Sequence, residues 1–300
     1  MTNFTNQYVP SIGLGTYNMS SEEAELTTFH ALKHGYRHID TAAVYRNEDG
    51  VAKGLESFLN DSDLKREDIF ITTKLWPGGL VKVDRIKDYT GTVKSFEKSL
   101  MRLSLDYIDL YLIHSPHGKS KRLEQWRALV DLKETGKIKH IGVSNWGINH
   151  LSELKENDLP MPDANQIELH PWSQKPELVK FLRYQNIDII AYSSLVPLST
   201  WRHKDGENSK KTNEMHEIGL SENSPFKELA KKYGVTEAQF LLKWAVQNNY
   251  AVLPKSINIE RVKQNFELNF LIDQSDMEYI TTLDKGDSIT WEYGDPLKVK

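Results

Sequence analysis

Short β-branched runs alternate with amphipathic stretches eight times along this chain, and few folds accommodate that rhythm. The runs lie at Ile12–Leu14, Arg37–Ile39, Ile69–Thr72, Ile108–Ile113, Ile138–Val143, Ala164–Leu169, Ile187–Ala191 and Tyr250–Leu253. Between them, apolar residues fall at three- and four-residue spacing, as in Val93, Phe96, Leu100 and Leu103 or in Leu123, Trp126 and Leu129. Strands separated by helices predict a parallel sheet with right-handed crossovers. Eight units of even length with no compositional break predict the closed (β/α)8 TIM barrel over an open doubly wound sheet.

Helix punctuation agrees. Ser20 with Glu23 and Thr236 with Gln239 have capping-box spacing, Pro176 and Pro225 suit first-turn positions, and Gly35, Gly136 and Gly234 stand where helices should stop. The chain of 300 residues reads as a single barrel domain with two departures, a polar loop at 198–223 and a C-terminal loop at 285–300. A connection as long as the first is expected to be either mobile or functional.

Composition removes several chemistries. With no cysteine there are no disulfides, thiolate metal sites or cysteine nucleophiles, and no cluster of metal-ligating residues is evident, so no metal is expected. A net charge of −4 argues against nucleic acid as a partner. No apolar run reaches the roughly 18 residues of a membrane span, and residues 1–7 lack the pattern of a signal peptide. A cytoplasmic protein acting as a monomer, without membrane partner, is the expectation.

In a barrel, side chains at the carboxyl ends of the strands share one mouth, where active sites lie. Those positions here carry Asp40 with Tyr45 just beyond it, Lys74, His114, Ser144 and Asn145, Gln166, Tyr192, and Lys255 with Ser256. Singly, each has an ordinary explanation as a turn residue, a packing ring or a solvated cation. Jointly they make a proton donor. A phenol with a pKa of about 10 releases its proton poorly at neutral pH. An ammonium at Lys74, held by Asp40, would lower that value, and a neutral His114 would orient a carbonyl oxygen toward Tyr45. The attacking species remains to be supplied, and a cofactor hydride is the economical source.

The chain resembles the aldo-keto reductase superfamily along nearly its whole length. The resemblance rests on Gly13-Leu14-Gly15-Thr16-Tyr17, Gly35-Tyr36-Arg37-His38-Ile39-Asp40-Thr41-Ala42, Thr73-Lys74-Leu75-Trp76 and Asp109-Leu110-Tyr111-Leu112-Ile113-His114. It continues through Ile141-Gly142-Val143-Ser144-Asn145, Asn165-Gln166-Ile167-Glu168, Ala191-Tyr192-Ser193 and Leu253-Pro254-Lys255-Ser256. It implies a catalytic tetrad of Asp40, Tyr45, Lys74 and His114 and NADPH as cofactor. Ser144, Asn145 and Gln166 would hold the nicotinamide carboxamide, with Tyr192 stacked on the ring and Thr16, Tyr17, Ser193 and Leu195 close by. Lys255, Ser256, Arg261, Gln264 and Asn265 would take the adenosine phosphate and adenine. Physics supports that last group: Asn258 can cap a helix with apolar positions Ile259, Val262 and Phe266, and a helix N-terminus with cations attracts phosphate.

The expected substrate is a small carbonyl compound in a pocket walled by Tyr17, Trp76 and His114, with Trp201, Trp291 or Tyr293 as further candidates. Ser115 stands where many relatives carry tryptophan, which widens the pocket, and Gln264 stands where an acid is frequent. Trp146 is expected to pack against the barrel. Gly13-Leu14-Gly15 lacks the third glycine and the acid of a dinucleotide fingerprint and is read as a tight first turn. Two competing functions are a glycosidase using Asp40 and Glu168, which Lys74 argues against, and a regulatory NADP(H)-binding barrel without turnover.

Overall fold

The computed structural model describes residues 6–81, 83–198, 217, 224–286 and 295–300. One sheet holds eight parallel strands in sequence order: β1 (Leu14–Gly15), β2 (His38–Asp40), β3 (Phe70–Leu75), β4 (Ile108–Ile113), β5 (Ile138–Ser144), β6 (Ala164–Glu168), β7 (Asp188–Tyr192) and β8 (Ala251–Val252). The ends of the sheet meet. Ile12 bridges Val252 in parallel, Gly13 N donates to Val252 O at 2.8 Å, and Gly15 N donates to Pro254 O at 3.2 Å. Closure leaves no open edge, so the fold is the (β/α)8 barrel.

The closing strands β1 and β8 are shorter than the runs in the sequence. Gly13 and Gly15, just before and within β1, also differ in role from the tight turn expected of them. A Cβ at Gly13 would lie 2.6 Å from His38 Nδ1, and one at Gly15 would lie 2.9 Å from Leu253 O. They let the first strand approach its two neighbours closely.

Helices α1 (Ser21–Lys33), α2 (Glu48–Asn60), α3 (Tyr89–Arg102), α4 (Arg122–Glu134), α5 (Ile148–Glu156), α6 (Pro176–Tyr184), α7 (Pro225–Tyr233) and α8 (Glu237–Gln247) surround the strands. Helices α9 (Ile259–Phe266) and α10 (Gln274–Thr281) follow β8. Both capping boxes form, at Ser20–Glu23 and Thr236–Gln239, and Pro176 and Pro225 open α6 and α7. Helix α9 is fixed to the barrel by Tyr36, whose hydroxyl donates to Val262 O at 2.9 Å while its ring packs on Phe266.

Strand alternation sets the core and the site together. Tyr111 and Ile113 of β4 join the layer beneath the helices, whereas Leu110 and Leu112 join a smaller cluster with Val9, Ala164, Ile190, Ala251 and Leu253. Register carries this second phase around the barrel: Asp40 pairs with Thr72 and Thr72 with Leu110, while Lys74 pairs with Leu112. Ser144 pairs with Gln166, and Gln166 with Ile190. The polar residues at the strand ends therefore continue the rows that fill the barrel lower down.

Candidate active site

At the mouth, Lys74 is fully buried, and its Nζ donates to Asp40 Oδ1 at 2.5 Å and to Thr41 O at 2.9 Å. The other oxygen of Asp40 accepts from Gln166 Nε2 at 2.8 Å. Tyr45 closes a single 3-10 turn, Ala43–Tyr45, just beyond β2, and its half-buried ring stands 5.1 Å from Lys74 Nζ. Its edge contacts include His114, at 5.7 Å between centroids, and Tyr17, at 5.1 Å. Trp76 meets the other side of His114 at 5.5 Å. The four polar groups singled out by the strand ends thus occupy one small volume.

Burial and charge decide the protonation states. Burial and the Lys74 charge hold the His114 imidazole well below its ordinary value, so it is neutral. Its Nδ1 is buried and has no hydrogen-bond partner. Burial pushes the Lys74 ammonium down and the Asp40 carboxyl up, and each charge opposes the other's drift. The phenol of Tyr45 differs from expectation. Burial and then the Asp40 charge raise its pKa, because Lys74 is engaged by a carboxylate whose field reaches the ring as well. The phenol therefore stays protonated at neutral pH.

A second group of side chains adjoins the four. Ser144, Asn145 and Gln166 are buried, and Ser144 Oγ donates to Gln166 O at 2.9 Å. Asn145 has φ 63° and donates from Nδ2 to His114 O at 3.1 Å and to Ser144 Oγ at 3.0 Å. Tyr192 OH donates to Asn145 Oδ1 at 2.6 Å. Ser193 is also left-handed, at φ 57°, and Leu195 packs half-buried on the core. Thr16 is buried between strands, while Tyr17 stays 45% exposed, open to the mouth.

The family model described as the aldo/keto reductase family matches residues 11–285. Glyoxal reductase of Bacillus subtilis (strain 168) is 37% identical over 283 residues, covering 94% of this chain and 91% of that protein. A crystal structure of an aldo-keto reductase from a Medee basin deep-sea metagenome library superposes with a TM-score of 0.81 at 38% identity, covering 96% of both chains. An aldo-keto reductase of Bombyx mori, solved in complex with NADP, gives 0.80 at 28% identity, over 96% of this chain and 95% of that one. The chain belongs to the aldo/keto reductase family.

In this aldo-keto reductase the residues expected at the cofactor's far end gather on and before α9. Asn258 caps it by accepting from Arg261 N at 3.1 Å, and Ser256 Oγ accepts from Asn258 N at 3.1 Å. Lys255, Arg261 and Gln264 are exposed and Asn265 is buried. Amides and a hydroxyl at the mouth, with exposed cations beside a capped helix start on the rim, fit a dinucleotide: a carboxamide at one end and a phosphate at the other. Of the pocket-wall candidates, Trp201, Trp291 and Tyr293 lie outside the described residues, as does most of the loop at 198–223. Trp146 is fully buried. The carboxylates weighed for a glycosidase are both engaged, Asp40 by Lys74 and Glu168 by His170 at 2.9 Å. Among the described residues, no three His, Asp or Glu side chains group as metal ligands, and no helix is long and apolar enough to cross a membrane.

Three contributors escaped the sequence reading. Asn47 is fully buried, with Nδ2 donating to Thr16 O at 2.9 Å and Met19 O at 3.1 Å and Oδ1 accepting from Thr41 Oγ1 at 2.9 Å. It ties the loop bearing Tyr17 to the turn bearing Tyr45. Glu48 is buried, accepts from Thr73 Oγ1 at 2.6 Å and pairs with Arg102 at 2.5 Å. Asp84 accepts from Trp76 Nε1 at 2.7 Å. Asn47 and Glu48 directly follow Tyr45 and Arg46, and that adjacency was the available signal.

Proposed function

We propose that this chain is an NADPH-dependent reductase of small aldehydes and ketones, with Tyr45 as general acid. The observation that carries the reading is the buried Asp40–Lys74 pair packed beneath the Tyr45 ring beside a neutral His114. A carbonyl oxygen at the mouth would accept hydrogen bonds from the Tyr45 hydroxyl and from His114, which orient it. As negative charge grows on that oxygen, Tyr45 transfers its proton, and Lys74 stabilises the resulting phenolate. Asp40 keeps Lys74 in place and charged.

NADPH, when bound, supplies the hydride. Ser144, Asn145 and Gln166 would hold its carboxamide and Tyr192 its ring, with Thr16, Tyr17, Ser193 and Leu195 lining the approach. Lys255, Ser256 and Arg261 would hold the 2′-phosphate, and Gln264 and Asn265 the adenine. Glyoxal, in the name of the Bacillus subtilis relative, makes small dicarbonyls the first substrates to try. A cytoplasmic monomer of one domain fits this chemistry, which needs no second subunit in the site.

Initial rates with glyoxal and an aromatic aldehyde, using NADPH or NADH, test the reading. We expect a KM for NADPH at least about ten-fold below that for NADH, since a phosphate gripped by Arg261 and Lys255 contributes charge-assisted hydrogen bonds. Equal KM values would overturn the cofactor assignment, and tight NADPH binding without turnover would favour a regulatory barrel.

A further inference from the structure

Between β3 and α3 the chain makes a loop whose sequence, Pro77-Gly78-Gly79-Leu80-Val81-Lys82-Val83-Asp84-Arg85-Ile86-Lys87-Asp88, gives no periodic pattern. Its described residues fold tightly beside the mouth. Gly78 and Gly79 have φ of 80° and 85°, and a Cβ on them would lie 2.2 Å from Arg85 O and 2.4 Å from His117 O. Gly79 N donates to Asp84 O at 3.0 Å, and Lys87 N to Pro77 O at 3.0 Å. The fully buried Gln125 of α4 donates to Pro77 O at 3.1 Å and Lys87 O at 2.8 Å. Lys87 Nζ donates to Trp76 O at 2.6 Å. Every one of these bonds braces the segment that carries Asp84.

Asp84 is half-buried, and its Oδ2 accepts from the indole Nε1 of Trp76 at 2.7 Å. A charged acceptor makes that bond stronger than a neutral one. It fixes the rotation of an indole that meets His114 edge-on, at an interplanar angle of 80°. Ser115, the next residue along the chain, is fully buried, and its Oγ is bonded to His117 Nδ1 at 3.0 Å. Tyr45 and Trp76 are the large rings that flank His114, and Asp84 holds the second of them.

We propose that Asp84 is a positioning residue that sets substrate specificity: by clamping the Trp76 indole against His114, it restricts the pocket to small carbonyl compounds. The proposal rests on the reading that the mouth reduces carbonyls, but the state of the indole can be measured without turnover. Asp84 acts through the Trp76 indole, which it holds at 2.7 Å. Its removal leaves Tyr45, Lys74 and Asp40 in place and frees the indole to rotate, which changes how substrates fit more than how fast the bound one reacts.

The test uses three variants, Asp84→Ala, Asp84→Asn and Trp76→Phe, together with the double variant Asp84→Ala/Trp76→Phe. Trp76→Phe assigns the Trp76 indole N–H resonance in labelled protein, and its exchange with solvent is then followed. Asp84→Ala should speed that exchange, and Asp84→Asn, whose amide oxygen still accepts, should retain slow exchange. In kinetics, Asp84→Ala should raise the KM for glyoxal about ten-fold with kcat within about two-fold, the lower end of the worth of one hydrogen bond to a charged group. The ratio of kcat/KM for an aromatic aldehyde over glyoxal should rise. On the Trp76→Phe background the same substitution should change neither quantity. Unchanged exchange in Asp84→Ala, or an equal penalty on the Trp76→Phe background, would overturn the proposal. Loss of the slow-exchanging signal in a protein that turns over no carbonyl would keep the clamp but overturn its role in specificity and the reductase reading with it.

Discussion

The two ends of the barrel use the same unusual backbone conformation for different purposes. At the bottom, Ser104, Asp158, Asn186 and Asn249 have φ between 53° and 59°. Each follows the cap of a helix, and the next residue donates back into it: Leu105 N to Leu100 O, Leu159 N to Leu154 O, Ile187 N to Leu182 O and Tyr250 N to Ala245 O. Gly35 and Gly234 end helices in the same way, with Tyr36 N bonded to Ala31 O and Val235 N to Ala230 O. These are Schellman endings, each with an apolar residue after the left-handed one, and they launch the chain into the next element. At the mouth, Arg46, Asn145 and Ser193 are left-handed without ending any α-helix. Their conformation aims side chains: Asn145 joins the backbone of His114 to the hydroxyls of Ser144 and Tyr192. Strain at the bottom terminates helices, and strain at the mouth builds a site.

Glycine substitution separates the two uses. Asn145→Gly should relieve its backbone yet lower kcat/KM about 100-fold, comparable to the loss of an anchoring side chain, while leaving the urea midpoint within experimental scatter. A near-normal rate would mean that the left-handed turn alone suffices. A smaller effect concerns buried histidines. His38, at the start of β2 and bonded to Thr72 Oγ1 at 2.9 Å, is pushed down to about 3 by burial and then by Lys74. Its depressed value means that its contribution is complete above pH 6.5 and is lost as pH falls toward 3. Wild type should therefore lose about 2 kcal/mol between pH 7 and 5 that a His38→Gln variant does not lose. Parallel pH profiles for the two proteins would contradict this. The smallest effect is at the bottom: Ser104→Gly should stabilise by about 0.5–1 kcal/mol with unchanged kinetics. Destabilisation there would show that the serine side chain matters more than its backbone.

Much of this was legible in the sequence because it is written locally. Strand periodicity, two capping boxes, Gly35 and Gly234 and the first-turn prolines each depend on neighbours a few residues away, and the structure contains them. Asp40, Lys74, His114 and Gln166 were found because a barrel gathers the ends of its strands. What escaped was joined through space. Nothing near Asn47 in sequence says that its amide will fasten Thr16, and nothing near Asp84 says that it will meet Trp76. Four of the six Schellman endings were missed because Ser, Asp and Asn occupy the position instead of glycine. The direction of the Tyr45 shift failed for another reason: burial strips water from the phenol and raises its pKa, and the Asp40 charge adds to the rise.

The central claim is that the Asp40–Tyr45–Lys74–His114 mouth reduces carbonyls with Tyr45 giving the proton, and NADPH consumption by wild type and Tyr45→Phe tests it most directly. With glyoxal or an aromatic aldehyde, kcat of Tyr45→Phe should fall about 100- to 10,000-fold, while NADPH still binds with its wild-type Kd. A variant that kept near-wild-type turnover would show that the proton comes from another group and that the mouth works differently.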